Sequence, residues 1–124
     1  MPLTDTPMSQ TLADALGKLV GHKLSSVTFV ADYIQLGFDG AGMNAYTTPT
    51  VTCGSDSLSL GQPGYRDVLC GQIGCRVERT EVDKQRVSIV FESGTEVSIS
   101  LRDDDYRGPE ALEFSLDKDR VWVV

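Results

Sequence analysis

Apolar residues recur at Leu12, Ala15, Leu16, Leu19 and Val20, the i, i+3, i+4, i+7, i+8 spacing that lays one stripe along a short helix. Thr11 precedes the stripe and predicts a hydroxyl cap. Asp14 follows three residues on, where a carboxylate meets the positive end of the helix. Gly21 then supplies the residue that closes a helix through the left-handed region. Beyond it the period shortens to two: Val27 and Phe29 alternate with polar neighbours, then Ile34, Leu36 and Phe38, with Ala31 and Asp32 as the turn between two strands. A second passage has the same grammar. Tyr65, Val68, Leu69 and Ile73 keep the helical spacing, Gly64 holds the cap position, Asp67 the acidic one and Gly74 the stop. Val87, Ile89 and Phe91, a turn at 92–95, and Val97, Ile99 and Leu101 predict a hairpin with one buried face.

The two passages lie in register at an offset of 53 residues, which sets Asp14 on Asp67, Leu16 on Leu69, Gly21 on Gly74 and Phe38 on Phe91. The same shift pairs Val20 with Ile73, Leu24 with Val77, Ile34 with Val87 and Leu36 with Ile89. Four residues, 39–42, separate Phe38 from Met43, one fewer than the five, 92–96, between Phe91 and Val97. Beyond this turn the offset becomes 54 and aligns Met43 with Val97, Ala45 with Ile99, Leu58 with Leu112 and Leu60 with Phe114. Each copy therefore predicts one helix and about four strands, at 11–60 and 64–116, joined by 61–63. So short a joint does not separate independent domains, and units of this length bury little alone. The expectation is one α+β domain, mainly antiparallel β, with two copies packed about a pseudo-twofold axis. After a turn at 117–120, residues 121–124 read as an extra closing strand with no counterpart in the first copy. On an open edge such a strand is a candidate for pairing with a second copy into a homodimer.

Composition narrows the function classes. The 124 residues suit one domain, and 40% apolar with 23% charged is ordinary for a globular chain. A net charge of −7 argues against binding nucleic acid or an anionic membrane and suits a basic protein partner, or simply keeps the protein dispersed in water. Residues 1–10 have neither a basic start nor an apolar run, so no signal peptide is expected, and no segment approaches the roughly 20 apolar residues of a membrane span. The cytoplasm is the default address. Cys53, Cys70 and Cys75, an odd number without close pairing, read as small buried hydrophobes.

No catalytic, cofactor or metal signature emerges. Capping explains Asp14 and Asp67 without general acid and base work. Gly21 and Gly74 follow their helices, whereas a phosphate loop precedes one. His22 falls opposite Cys75 at the first offset, but with Cys70 these residues lack the close-set pairs of a zinc site, and a cysteine and histidine pair lacks an orienting third group. The densest charge is the segment 102–107. Its Asp103, Asp104 and Asp105 lack the alternating ligands of a calcium loop and read as a solvated loop. These three residues, with Tyr106 and Trp122, are the candidate interaction residues. Tyr33, Tyr46 and Tyr65 are expected in the core or at its rim, with their hydroxyls satisfied locally. The loop 102–109 is also where the second copy differs most from its polar counterpart, 47–57, and binding properties diverge at loops.

Ile73, Gly74 and Val77, then Phe91, Glu92, Ser93 and Gly94, then Gly108, Pro109, Glu110 and Ala111 form a pattern of helix end, glycine, strand, acidic hairpin and late P-E-A segment. In this pattern the stretch 69–114 resembles a group of small bacterial domains of unknown function, some of them similar to immunity proteins that neutralise a secreted toxin. The resemblance implies kinship of fold and carries over no functional residue; with the acidic loops, the leading expectation is a cytoplasmic, non-enzymatic protein-binding module, such as an immunity-type inhibitor of a basic toxin. The alternative is a small-molecule binding domain or weak enzyme with a pocket between the two halves.

Overall fold

The computed structural model describes residues 11–117 and 120–124. The signal-peptide expectation for 1–10, and residues 118 and 119 of the turn at 117–120, lie outside the described residues. Helix α1 (Leu12–Gly17) is capped by Thr11, whose Oγ1 accepts from the Asp14 N–H at 3.1 Å. Helix α2 (Tyr65–Cys70) starts from Gly64 with no side-chain cap, because φ there is +88° and the residue has no side chain to offer. Gly21 and Gly74 close the two helical passages at φ +89° and +94°, in the left-handed region predicted for them. The helices are shorter than the apolar stripes. Ala15, Leu16 and Leu19 are buried, but Val20 and Ile73 fall in the turns after the helices and are 50% and 46% exposed, so they leave the predicted stripe.

Among the described residues there are ten strands, five after each helix rather than about four. They are β1 (Ser26–Val30), β2 (Tyr33–Phe38), β3 (Ala41–Ala45), β4 (Thr50–Cys53) and β5 (Asp56–Leu58), then β6 (Val77–Val82), β7 (Arg86–Phe91), β8 (Glu96–Ser100), β9 (Leu112–Asp117) and β10 (Arg120–Val123). They form two five-stranded antiparallel sheets. Sheet I runs β1-β2-β3-β9-β10 and sheet II β6-β7-β8-β4-β5. Each thus takes three strands from one half of the chain and two from the other. With the two small helices this is the expected α+β architecture. Turn chemistry sets the registers. Asp39 and Gly40, at φ +41° and +97°, make a two-residue hairpin between β2 and β3, while β7 and β8 are joined through Gly94 at φ +94°. Asp83 Oδ1 accepts from the N–H groups of Gln85 and Arg86 and turns β6 into β7.

The segments leaving the two helices cross through four backbone bonds. Gly21 N–H donates to Val77 O (2.9 Å), Gly74 N–H to Leu24 O (2.8 Å), Leu24 N–H to Cys75 O (3.0 Å) and Val77 N–H to His22 O (2.9 Å), with Lys23 opposite Arg76. Around this crossing the inward faces of both sheets and both helices share one core. Leu36, Phe38, Met43 and Phe114 from sheet I meet Ile89, Phe91, Val97 and Val51 from sheet II, all 2% exposed or less.

Three expectations change. Residues 121–124 were read as lacking a counterpart, yet β10 folds back on β9 as β5 folds back on β4. Leu58 and Leu112 do not occupy matching places, since Leu58 lies in the edge strand β5 and Leu112 in β9, between β3 and β10. The connection between β8 and β9, residues 101–111, is much longer than the connection 46–49 between β3 and β4. Cys53 and Cys70 are exposed at a strand end and a helix end, and only Cys75 packs partly against the core.

Candidate functional site

Asp103, Asp104 and Asp105 form one exposed 3-10 turn within the long connection. Hydrogen bonds brace it: Ser100 Oγ donates to Asp105 Oδ2 at 2.6 Å, Arg102 N–H donates to Ser100 Oγ at 3.1 Å, and Tyr106 N–H returns to Asp103 O at 3.2 Å. Arg107 Nη1 donates to Thr48 Oγ1 at 3.3 Å, tying the far side of the turn to the connection between β3 and β4. The aspartates are therefore presented on a held loop, and Tyr106 is half-buried beside them. Trp122 does not join them. It sits in β10 with its ring 6.0 Å from that of Phe114 and packs against the core. The open edge of β10 instead presents Val121 and Val123, 48% and 52% exposed.

Asp14 and Asp67 lie in the first turns of separate helices. Among the described residues, no three His, Cys, Asp or Glu side chains converge as a metal would require, so His22, Cys70 and Cys75 form no such group. No helix among the described residues is long and apolar enough to cross a membrane. Tyr65 is fully buried, and its hydroxyl donates to the Pro49 carbonyl at 2.7 Å; burial pushes its pKa up to about 12.

A feature missed in the sequence is the outward face of sheet I. Side chains alternate across a sheet, so one face collects the cross-strand rows Ser26, Gly37, Gly42, Ser115 and Val121, then Thr28, Gln35, Asn44, Glu113 and Val123, then Val30 and Tyr33, with Tyr46 just past the end of β3 beside Tyr33. Gly37 and Gly42 stand directly opposite each other and leave a groove of about 260 Å³ over the middle of the sheet. At its rim Tyr46 OH donates to Glu113 Oε1 at 3.1 Å and accepts from Asn44 Nδ2 at 3.5 Å. Burial, and after it the Glu113 carboxylate, raise the Tyr46 pKa, against a lowering by Asn44. The Tyr33 ring lies 5.3 Å from that of Tyr46. Two further clefts, of about 410 and 370 Å³, adjoin this end and share Asp32 and Arg107. Arg66 lies over the Phe29 ring at 5.0 Å in the second of them.

Alternating uncharged polar residues in 33–37 and 42–46 were the available sequence signal. The neighbour that completes the site, Glu113, needed the β3–β9 pairing. No family model matches the chain, and neither the curated proteins nor the solved structures returned a match.

Proposed function

We propose that this chain is a bacterial, cytoplasmic, non-enzymatic protein-binding module, an immunity-type inhibitor that covers a basic toxin with the acidic connection between β8 and β9. The observation that carries the reading is that connection itself: three exposed carboxylates on one turn, braced from Ser100 and, through Arg107, from Thr48. A held loop loses less conformational freedom on binding than a floppy one. Clustered carboxylates in a chain of net charge −7 attract a basic surface from a distance and speed the encounter.

The scaffold in this proposal is an internal duplication about a pseudo-twofold axis. The crossing bonds support it, because a shift of 53 residues turns the Gly21 to Val77 bond into the partners of the Gly74 to Leu24 bond, and Leu24 to Cys75 into Val77 to His22. Strand order supports it too: β1-β2-β3-β9-β10 becomes β6-β7-β8-β4-β5 when the halves are exchanged. On this reading the second copy runs through β10 rather than stopping at 116, and the long connection is its insertion. Function then belongs where the copies differ in length.

The test is affinity capture from a lysate of the source organism, followed by titration of the captured protein. The expected partner is a basic protein bound one to one. Its affinity falls as salt rises, and falls by about tenfold or more when Asp103, Asp104 and Asp105 are all changed to Asn. Absence of any stoichiometric partner, or binding indifferent to salt and to the triple change, would overturn the proposal.

A further inference from the structure

We infer that the outward face of sheet I is a binding site for a small, uncharged, polyhydroxylated ligand of the saccharide class. Two glycines, Gly37 and Gly42, sit at the middle of this face, and the backbone requires neither. Neither Gly37 nor Gly42 has positive φ, and both lie inside strands, where glycine weakens the sheet and marks a place that something approaches closely. A methyl at Gly42 would meet only the Leu36 carbonyl oxygen, at 3.9 Å, so packing does not forbid a side chain there either. At Gly37 it would run into the Ser26 hydroxyl. Gly37 therefore has a packing reason, the Ser26 hydroxyl seated over it, and Gly42 is the glycine that neither backbone nor packing explains; the missing side chain there leaves the groove open.

What surrounds the cleared floor selects the ligand. The Gln35 and Asn44 amides each present both a donor and an acceptor, and the Thr28 and Ser115 hydroxyls do the same. Among the described residues, no hydrogen bond engages the Gln35 amide or those two hydroxyls. Glu113 contributes the single carboxylate, and Tyr46 holds one of its oxygens from the side. Among the described residues no Lys or Arg lines the groove, so a phosphate or carboxylate ligand would find no counter-charge from them and would face Glu113. An apolar ligand would strip water from these polar groups without replacing its hydrogen bonds. A vicinal polyol does replace them, since each of its hydroxyls can donate to a carboxylate or amide oxygen while accepting from an amide N–H. The paired rings of Tyr33 and Tyr46, in the next row of the same face, offer apolar surface to the C–H side of a sugar ring. Except for Tyr46, which follows β3 directly, these groups project from strands, which fixes their spacing better than loops would.

An ordinary solvated sheet face does not need these features, and sheet II shows what such a face looks like. Its corresponding row reads Arg79, Val90, Glu96 and Thr52, with Arg79 ion-paired to Glu78 and Glu81 and Val90 filling the middle.

The inference is tested on the full chain by backbone amide NMR, titrating glucose, galactose, mannose, N-acetylglucosamine and their β-linked disaccharides. The expected result is a saturable shift for at least one sugar, centred on the amides of Gln35, Gly37, Gly42, Asn44, Glu113 and Ser115. Gly42→Leu, which fills the groove, and Asn44→Ala, a milder change, should each weaken that sugar by about tenfold or more without changing the spectrum elsewhere. No saturable shift with any sugar overturns the inference, as does binding that survives both substitutions. Shifts at this face produced by choline or inorganic phosphate, and by no sugar, also overturn it, assigning the groove to a charged ligand. The assay uses the purified chain alone, so its outcome is independent of whether a protein partner is found.

Discussion

Phe38 at the end of β2 and Phe91 at the end of β7 are both wholly buried, yet the strands that carry them look outward in different ways. In sheet I the outward residue before Phe38 is Gly37, opposite Ser26 and Gly42. In sheet II the residue before Phe91 is Val90, opposite Arg79 and Glu96 and only 6% exposed under them. The inward faces are held alike because they share one core, where any loss of volume is felt by both sheets. The outward faces answer only to water and ligands, so they are free to diverge. One has become a hollow lined with amides and hydroxyls, and the other a ridge covered by ion-paired side chains.

The inward half of this comparison breaks most visibly if the two phenylalanines are not equivalent. Phe38→Ala and Phe91→Ala are each expected to destabilise the fold by about 3–5 kcal/mol, within about 1 kcal/mol of each other, as measured by urea unfolding. Each ring ends an inward row, Phe38 opposite Ala41 and Phe91 opposite Val77. A much smaller loss at one of them would mean that the core can collapse around that site, and that the sheets are not filled alike.

Tyr65 sharpens the comparison from the helices. It occupies the first position of α2, where α1 has the half-buried Leu12, and only the tyrosine reaches across to close a bond on the connection between β3 and β4, at Pro49. Tyr65→Phe is expected to cost about 1–3 kcal/mol at neutral pH, because the buried Pro49 carbonyl loses its donor. The pH dependence has a definite sign. The folded state favours the neutral phenol, whose pKa rises from 10.0 to about 12. Its contribution is therefore complete below about pH 10 and is lost as pH climbs toward 12. Thermal unfolding followed across that window should show a steeper alkaline loss for the wild type than for the Phe variant. Equal slopes would mean that the hydroxyl is already wet.

The inward half was readable from sequence and the outward half was not, for a physical reason. Burial imposes a period on apolar residues, so Leu36, Phe38, Ile89 and Phe91 announced their strands and Gly21 and Gly74 their helix ends. The same logic misled at Val20 and Ile73, which keep the helical spacing but follow helices that have already stopped. Polar outward residues carry no such constraint. The groove depends on the pairing of β3 with β9, which places Glu113 opposite Asn44 although β4 to β8 lie between them in the chain. The offset of 54 set Leu58 beside Leu112, yet Leu58 lies in an edge strand and Leu112 in a strand paired on both sides, a difference that only strand pairing reveals. The acidic turn was read as a solvated loop and stands exposed, while the hydrogen bonds that brace it, from Ser100 and Arg107, needed coordinates.

The smallest expected effect concerns the crossing that joins the two halves. Gly21 and Gly74 have φ of +89° and +94°, and nothing lies within 4 Å of where a Cβ would sit at either. Substitution therefore meets backbone strain and no steric clash. Gly21→Ala and Gly74→Ala should each cost about 1–2 kcal/mol, whereas Gly21→Asn and Gly74→Asn should cost roughly half as much, because asparagine tolerates the left-handed region better than alanine. Chemical denaturation of the four variants measures this directly. Matching losses at the two sites, with asparagine the milder in both, would mean that the crossing is held by the same conformation twice. A site where asparagine is no better than alanine would show that its glycine is kept for something other than φ, and the two ends of the crossing would no longer be alike.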